Sequence, residues 1–237
     1  MNNTHHRSFV TQNSIVFDII RENNDILLML EHFDIDFSAG NKTVLDICTE
    51  YNIHIEAFLS IANLYNGYFP NRNTTLPVES LNSIVIFLKN SHLFYLKDKY
   101  PELIGYIKTL KEDKNCNAKN IYLVEKFFTD YYNEVKEHLR YEDEIAFPFF
   151  LNLLNNDNSN NDFSSKTYSD HHSDIETKLE DLKNLLINDM DLGNNLSVKR
   201  RFYNSLSDLE RDLMLHSIIE EILLTPSIER LETERNA

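Results

Sequence analysis

Four histidines and two glutamates recur along this chain at a spacing that suits a metal site, namely His92, His138, Glu142, His172, His216 and Glu220. Each glutamate follows a histidine by four residues, in the strings HLRYEDEIAFP from residue 138 and HSIIEEILLTP from residue 216. Residues four apart lie on one face of an α-helix, one above the other. Each string can therefore present an imidazole and a carboxylate to the same metal cluster.

The arrangement of these residues is duplicated. A further histidine precedes each string, 46 residues before His138 and 44 residues before His216. This repeat predicts a pseudo-two-fold site in which each half supplies two histidines and one glutamate. Imidazole with carboxylate suits iron, manganese or zinc, whereas a soft-metal site would include cysteine. Six ligands fit two metal ions better than one, and Glu142 and Glu220 are then expected to bridge the two ions.

Long helices must carry these residues. We predict helices over residues 78–98, 118–153, 166–190 and 197–232, with a shorter piece after Pro101. Apolar residues recur in these segments in steps of three or four, the pattern of a bundle core. The six polar residues are in phase with the apolar stripes of the four predicted helices. In chain order the stripes are Leu81, Val85, Leu88, His92 and Tyr95; Val124, Phe128, Tyr131, Val135, His138, Glu142, Ile145 and Phe149; His172, Ile175, Leu179, Leu182 and Leu186; and Phe202, Leu206, Leu209, Leu213, His216, Glu220 and Leu223.

Two inward glutamates need a cation. Burying an ionised carboxylate is costly unless it is paired, and the stripes hold no lysine or arginine. A lone inward histidine is more often a satisfied core residue, but six polar residues in phase favour a metal. His171 lies about 100° around the helix from His172, so it is predicted to face solvent. Asp143 and Glu221 directly follow the two glutamates, and we expect them to support the site or to be solvated.

A smaller helical domain precedes the bundle. Helices are predicted over residues 13–33, 43–51 and 54–65. The stretch NGYFPNRNTTLP from residue 66 has the glycine, proline and asparagine of a linker, and NNDNSNNDFSS from residue 155 is a polar loop. We therefore expect an all-α chain with a small N-terminal domain at residues 1–68, a linker at 69–77 and an antiparallel four-helix bundle at 78–237.

Charge and composition disfavour several classes of function. The net charge is −15, and residues 1–80 hold four Lys or Arg against ten Asp or Glu, so nucleic acid and anionic membranes are poor partners. A helix-turn-helix over residues 43–65 is also disfavoured, because its second helix has no Lys or Arg. No stretch of 18 apolar residues occurs, and residues 1–9 are polar and lack the apolar core of a signal peptide, so neither a membrane span nor a signal peptide is expected. Two widely spaced cysteines, Cys48 and Cys116, suit a reducing compartment, so a cytoplasmic protein is expected.

The two His-Glu strings, together with SHLFYLKDKYPEL from residue 91 and HHSDIETKLEDL from residue 171, resemble the hemerythrin-like proteins of the repair-of-iron-centres (RIC) family. The resemblance implies a hemerythrin-like four-helix bundle that holds two non-haem, oxo-bridged irons on the six residues named above. Residues 29–64 are similar to the small domain that precedes the bundle in that family. There, Ser38 and Ala39 stand where the family commonly has two adjacent cysteines before a glycine. Oxygen-carrying hemerythrins differ in having a fifth histidine and an aspartate in the last motif.

The resemblance also implies a stress role, in which the centre donates iron to apo or damaged iron-sulfur proteins after nitric oxide or peroxide has attacked their clusters. Two alternatives stay open. The centre can bind oxygen or nitric oxide as a sensor that signals through the N-terminal domain. It can also turn over peroxide or nitric oxide as a redox enzyme, so enzymatic activity is undecided. The oligomeric state, monomer or homodimer, is not fixed by the sequence.

Overall fold

Helices make up the regular structure of this protein. The computed structural model describes residues 7–70, 75–155, 164–171, 175–188 and 191–236. Over these residues the only β-type pairing is one isolated antiparallel bridge between Ile15 and Thr43. The prediction of an all-α chain is therefore confirmed. Within the same ranges, no helix has both the length and the apolar character needed to cross a membrane.

The N-terminal part contains more helices than predicted. The helices are α1 (Val16–Glu22), α2 (Asp25–His32), α3 (Val44–Glu50) and α4 (Ile55–Tyr65), with a short 3-10 turn at Phe37–Ala39. The single helix predicted over 13–33 is interrupted at Asn23, whose backbone is extended (φ −148°, ψ 106°). Its side-chain amide donates to the carbonyl of Tyr65 at 2.9 Å. Its side-chain oxygen accepts a hydrogen bond from the amide of Asp25 at 3.1 Å, a local bond that competes with helical backbone hydrogen bonds where α1 ends.

Helix α3 begins where its sequence provides a cap. Thr43 Oγ1 accepts a hydrogen bond from the amide of Asp46, and Asp46 Oδ2 accepts one from the amide of Thr43. This reciprocal capping box satisfies two amides that a helix N-terminus otherwise leaves without partners. The predicted helices over 43–51 and 54–65 correspond to α3 and α4.

The rest of the chain forms long helices, several of which pass from α-helical to π-helical geometry. After a 3-10 turn at Val78–Ser80 they are α5 (Leu81–Phe94), α6 (Tyr100–Lys111), α7 (Ala118–Tyr141), α8 (Phe147–Leu154), α9 (Ser165–His171), α10 (Ile175–Asn188), α11 (Leu196–Ile219) and α12 (Thr225–Asn236). Three π-helical segments continue α5 into α6, α7 into α8 and α11 into α12 without a break. They are Tyr95–Lys99, Glu142–Ala146 and Glu220–Leu224.

A proline follows each π segment at the same offset. The amides of Tyr100, Phe147 and Thr225 bond to carbonyls five residues earlier, and the next residue in each case is a proline. Proline has no amide hydrogen, and its ring clashes with the carbonyl four residues before it in an α-helix. A π turn is wider by one residue, which gives room for the ring while the helix continues.

By packing, the chain divides into two compact units. One unit comprises Met1–Ser91, Phe149–Ser165 and Leu215–Ala237, and the other comprises His92–Pro148 and Lys166–Met214. Packing does not test whether residues 1–68 fold independently of 78–237, so that division stays a prediction, and residues 71–74 of the predicted linker lie outside the described residues.

The first unit is organised around aromatic side chains. Phe33, at the end of α2, stacks on Phe58 of α4 with ring centroids 5.4 Å apart and lies 4.8 Å from Phe87 of α5. Asn63 of α4 holds the extended segment before α1, because its amide group both donates to and accepts from the backbone of Val10. The helices of the N-terminal part thus pack on the beginning of α5.

The second unit has one continuous apolar core. Helices α6, α7, α10 and α11 contribute buried side chains to it, including Leu103, Val124, Phe128, Leu179, Leu182, Leu206 and Leu209. Most residues of the predicted stripes are buried here, as their spacing indicated. The prediction is wrong at the end of the second stripe: Ile145 is 47% exposed and Phe149 is only partly buried, whereas the next residues, Ala146 and Phe150, are buried. The π segment at Glu142–Ala146 adds one residue to the turn and shifts the apolar phase by one position.

Candidate metal centre

The second unit gathers two histidines around one buried glutamate. Glu142 is the first residue of its π segment and is fully buried. Its Oε2 lies 3.3 Å from Nε2 of His92, and its Oε1 lies 3.2 Å from Nε2 of His138. Tyr168 of α9 also donates its hydroxyl to Oε1 at 3.2 Å. We call His92, His138 and Glu142 the first half-site.

The first unit contains a matching pair. Glu220 begins the last π segment, is 1% exposed, and its Oε1 lies 3.3 Å from Nε2 of His216. His216 is itself buried near the end of α11. We call His216 and Glu220 the second half-site. In both half-sites the glutamate follows a histidine by four residues and starts a π segment, which agrees with the duplicated pattern of the sequence.

The two buried histidines of the half-sites, His92 and His216, each have a partner on Nδ1. Nδ1 of His92 lies 3.1 Å from Oδ1 of Asp143, and Nδ1 of His216 lies 2.9 Å from Oγ of Ser91. Their Nε2 atoms face the glutamates instead. A histidine that binds a metal through one nitrogen is usually oriented by a partner on the other. The rings of His92 and His216 are therefore oriented in a way that suits metal binding through Nε2.

The separations within the half-sites fit common ligation. Two ligand atoms bound to one metal at about 2.1 Å, at a right angle, lie about 3 Å apart. The observed distances from imidazole nitrogen to carboxylate oxygen are 3.2 to 3.3 Å. Nitrogen and carboxylate oxygen are donors that iron, manganese and zinc all accept. The donor atoms present and their separations thus fit such an ion.

When no metal is bound, a proton on His92 supplies a positive charge beside the buried Glu142 carboxylate. Complete burial disfavours the charged form of His92, but the contacts with Asp143 and Glu142 outweigh this effect and raise its pKa to about 9. A proton on His92 offsets part of the cost of burying the Glu142 carboxylate. A metal ion that binds Nε2 would replace that proton as the compensating charge.

Within the second unit, His92 and Glu142 belong to a buried group that could hold a metal ion. One ligand atom from each of these two residues lies within 4.8 Å of the other. His172, the fourth predicted histidine, lies outside the described residues, as does the side chain of His171, which was predicted to face solvent. Ligation by all six residues stays a prediction.

The sequence did not single out two tyrosines near these residues. Tyr168 bonds to Glu142, and Tyr95, three residues after His92, donates to a carboxylate oxygen of buried Asp212 at 2.7 Å. Tyr95 was placed on the apolar stripe, where it is indeed buried. Asp212 stands one turn before His216, a spacing that could have drawn attention to it as a second inward carboxylate.

Comparisons with known proteins add no assignment. No family model, no curated protein and no solved structure matched this chain. The functional argument therefore rests on the residues, on their geometry and on the resemblance of the sequence strings.

The structure argues against thiol chemistry in the N-terminal part, and alkylation can test this. Cys48 is buried in α3, and burial raises the pKa of its thiol to about 12. Because the thiolate is the reactive form, Cys48 should resist iodoacetamide at neutral pH, while the partly exposed Cys116 should react. Mass spectrometry of the native protein should show one labelled site, and unfolded protein should show two. Equal labelling of both cysteines in the native state would contradict the core position of Cys48.

Proposed function

We propose that this protein is a non-haem di-iron protein with a hemerythrin-like four-helix bundle, and that it donates iron for the repair of damaged iron-sulfur clusters. One observation carries the proposal: two buried glutamates, each four residues after a histidine and each at the start of a π segment, face Nε2 atoms of imidazoles. The resemblance of the sequence strings to the RIC family supplies the identity of the metal and the role.

Two ions fit the ligand set better than one. The first half-site alone offers two imidazoles and a carboxylate, and the second offers an imidazole and a carboxylate at the same spacing. We propose His172 as the remaining histidine of the second half-site. Glu142 and Glu220 would then be shared between the ions. A pair of irons bound in this way supplies reversible one-electron chemistry and exchangeable metal.

The protein's own residues set the stability of the bound metal. Four neutral imidazoles and two carboxylates contribute a charge of −2, which is low for a site that would hold two divalent ions. Tyr168 keeps Glu142 in position through its hydroxyl, and Asp143 and Ser91 keep the rings of His92 and His216 in position. Such a site is well oriented but weakly charged. Weak charge compensation suits a donor that must give up its metal.

Metal analysis tests the proposal directly. Protein produced with iron available and purified without chelators should contain about two iron atoms per chain, because the duplicated half-sites offer ligands for two ions. Elemental analysis by mass spectrometry, normalised to protein by amino-acid analysis, measures this ratio. Protein exchanged into a metal-free buffer with a strong chelator gives the baseline. One zinc per chain, or no metal, in well-folded protein made in iron-supplemented medium without added zinc would refute the di-iron assignment.

A further inference from the structure

We infer that Asp143 and Ser91 make the two half-sites unequal, so that the metal bound through His92 is released later than the metal bound through His216. This inference rests on the proposed metal centre. Neither Asp143 nor Ser91 is expected to bind metal. Both act through a histidine and are positioning residues.

The partner of His92 is a carboxylate. Asp143 directly follows Glu142 in the π segment, and its Oδ1 lies 3.1 Å from Nδ1 of His92. The Asp143 side chain is 32% exposed, while the imidazole is fully buried. A carboxylate on Nδ1 fixes the ring and increases electron density at Nε2, which strengthens its bond to a metal. The first half-site is therefore the stronger one.

The partner of His216 is the neutral hydroxyl of Ser91, which donates its own proton to another acceptor. Ser91 Oγ donates to the carbonyl of Leu88 at 2.7 Å, so it accepts from Nδ1 of His216, 2.9 Å away. The proton that faces Ser91 is therefore on Nδ1, which leaves Nε2, beside Glu220, as the atom that would bind a metal ion. A hydroxyl acceptor orients the ring but increases the basicity of Nε2 less than a carboxylate does.

The duplicated sequence string does not restore the symmetry. Glu221 stands where Asp143 stands in the other string, directly after the buried glutamate. Its side chain is exposed, and within the described part of the chain it has no hydrogen bond or ion pair. The two half-sites thus share a spacing but differ in what supports them. Glu221 is also a natural control, since it has the same position as Asp143 without the contact.

A chelator chase tests the difference. Protein loaded with iron(II) under anaerobic conditions is mixed with excess of a chromogenic iron(II) chelator, and release is followed by absorbance. Wild-type protein should release iron in two phases of equal amplitude. In Asp143→Asn the slow phase should become about 10-fold to 100-fold faster, the usual effect of losing an outer partner of a metal-binding histidine. Glu221→Gln should match the wild type, and Ser91→Ala should accelerate only the fast phase.

A measurement without metal checks the positioning role itself. Nitrogen-15 NMR of histidine-labelled, metal-free protein should show a proton on Nδ1 of His216, and Ser91→Ala should weaken that preference. Circular dichroism should show unchanged helix content in each variant. Two phases in wild type that are unaltered by Asp143→Asn, or a single phase for both irons, would overturn the inference while leaving the di-iron centre intact. Protein that binds fewer than two irons would instead refute the centre, and this inference with it.

Discussion

Replacing Glu142 or Glu220 with glutamine should remove most of the bound metal and leave the metal-free protein folded. Glutamine keeps the size of the side chain but removes the charge that a metal ion requires. Iron should fall from about two atoms per chain to fewer than one, because a glutamate shared by two ions supports both. For Glu142, removal of the buried carboxylate also leaves no uncompensated charge at His92, because Glu142 contributes to the raised pKa of that imidazole and the proton can be lost with it. Metal analysis and circular dichroism together measure both effects.

Matched controls are available beside each glutamate. Glu144 lies in the same π segment as Glu142, and Glu221 lies next to Glu220, yet both side chains are exposed. Glu144→Gln and Glu221→Gln are therefore the control variants. These variants should retain wild-type iron. Thermal unfolding adds a second readout: metal should raise the melting temperature of the wild type and the controls, because it binds only the folded state. Equal loss of iron in all four variants would show that the buried positions are not special.

Reduction should release the bound iron, and this separates iron donation from sensing. Four neutral imidazoles and two carboxylates compensate only two of the four positive charges of a diferrous pair. Ferric ions are the stronger Lewis acids and are held more tightly by carboxylate oxygen, so reduction weakens the site. Dithionite-reduced protein should transfer iron to an apo iron-sulfur protein at least about tenfold faster than oxidised protein does, a difference of about 1.4 kcal/mol in barrier. Mössbauer spectra of iron-57 protein before and after mixing would follow the metal.

Cysteine variants and hydrogen exchange complete this test. Cys48→Ala should transfer iron at the wild-type rate, since that thiol is buried and its pKa is raised to about 12. Retention of iron after reduction, combined with a change in hydrogen exchange over residues 7–65 when nitric oxide or oxygen is added, would reject iron donation. That combination would favour the sensor in its place.

The metal-binding pattern could be seen in the sequence because helical periodicity is simple. Inward residues recur every three or four positions, so the burial of His92, Glu142, His216 and Glu220 followed from counting. The same counting failed at Ile145, because a π segment changes the period within a helix that is otherwise continuous. The signal was present: a proline inside a long helical pattern requires some local change.

Other features depend on contacts between residues distant in the chain. Ser91 meets His216 across 125 positions, and Tyr168 meets Glu142 across 26. Neither pair has a periodic relation that a single sequence reveals. The break at Asn23 depends equally on the carbonyl of Tyr65, which approaches only once α4 has packed. Local propensity decides where helices form, whereas such partners decide where they end and how their side chains are oriented.

The absence of sulfur among the candidate ligands has a consequence for how this protein would acquire its metal. Histidine and glutamate bind divalent metals in the usual order of affinity, with copper and zinc ahead of iron and manganese. At equal supply, zinc would therefore occupy both half-sites before iron. Selection of iron must come from abundance: a cell that holds free zinc and copper at very low levels leaves iron as the common occupant. The metal found in the purified protein should thus depend on the metal content of the growth medium as well as on the ligands. Expression in zinc-rich medium should yield a stable protein without redox function.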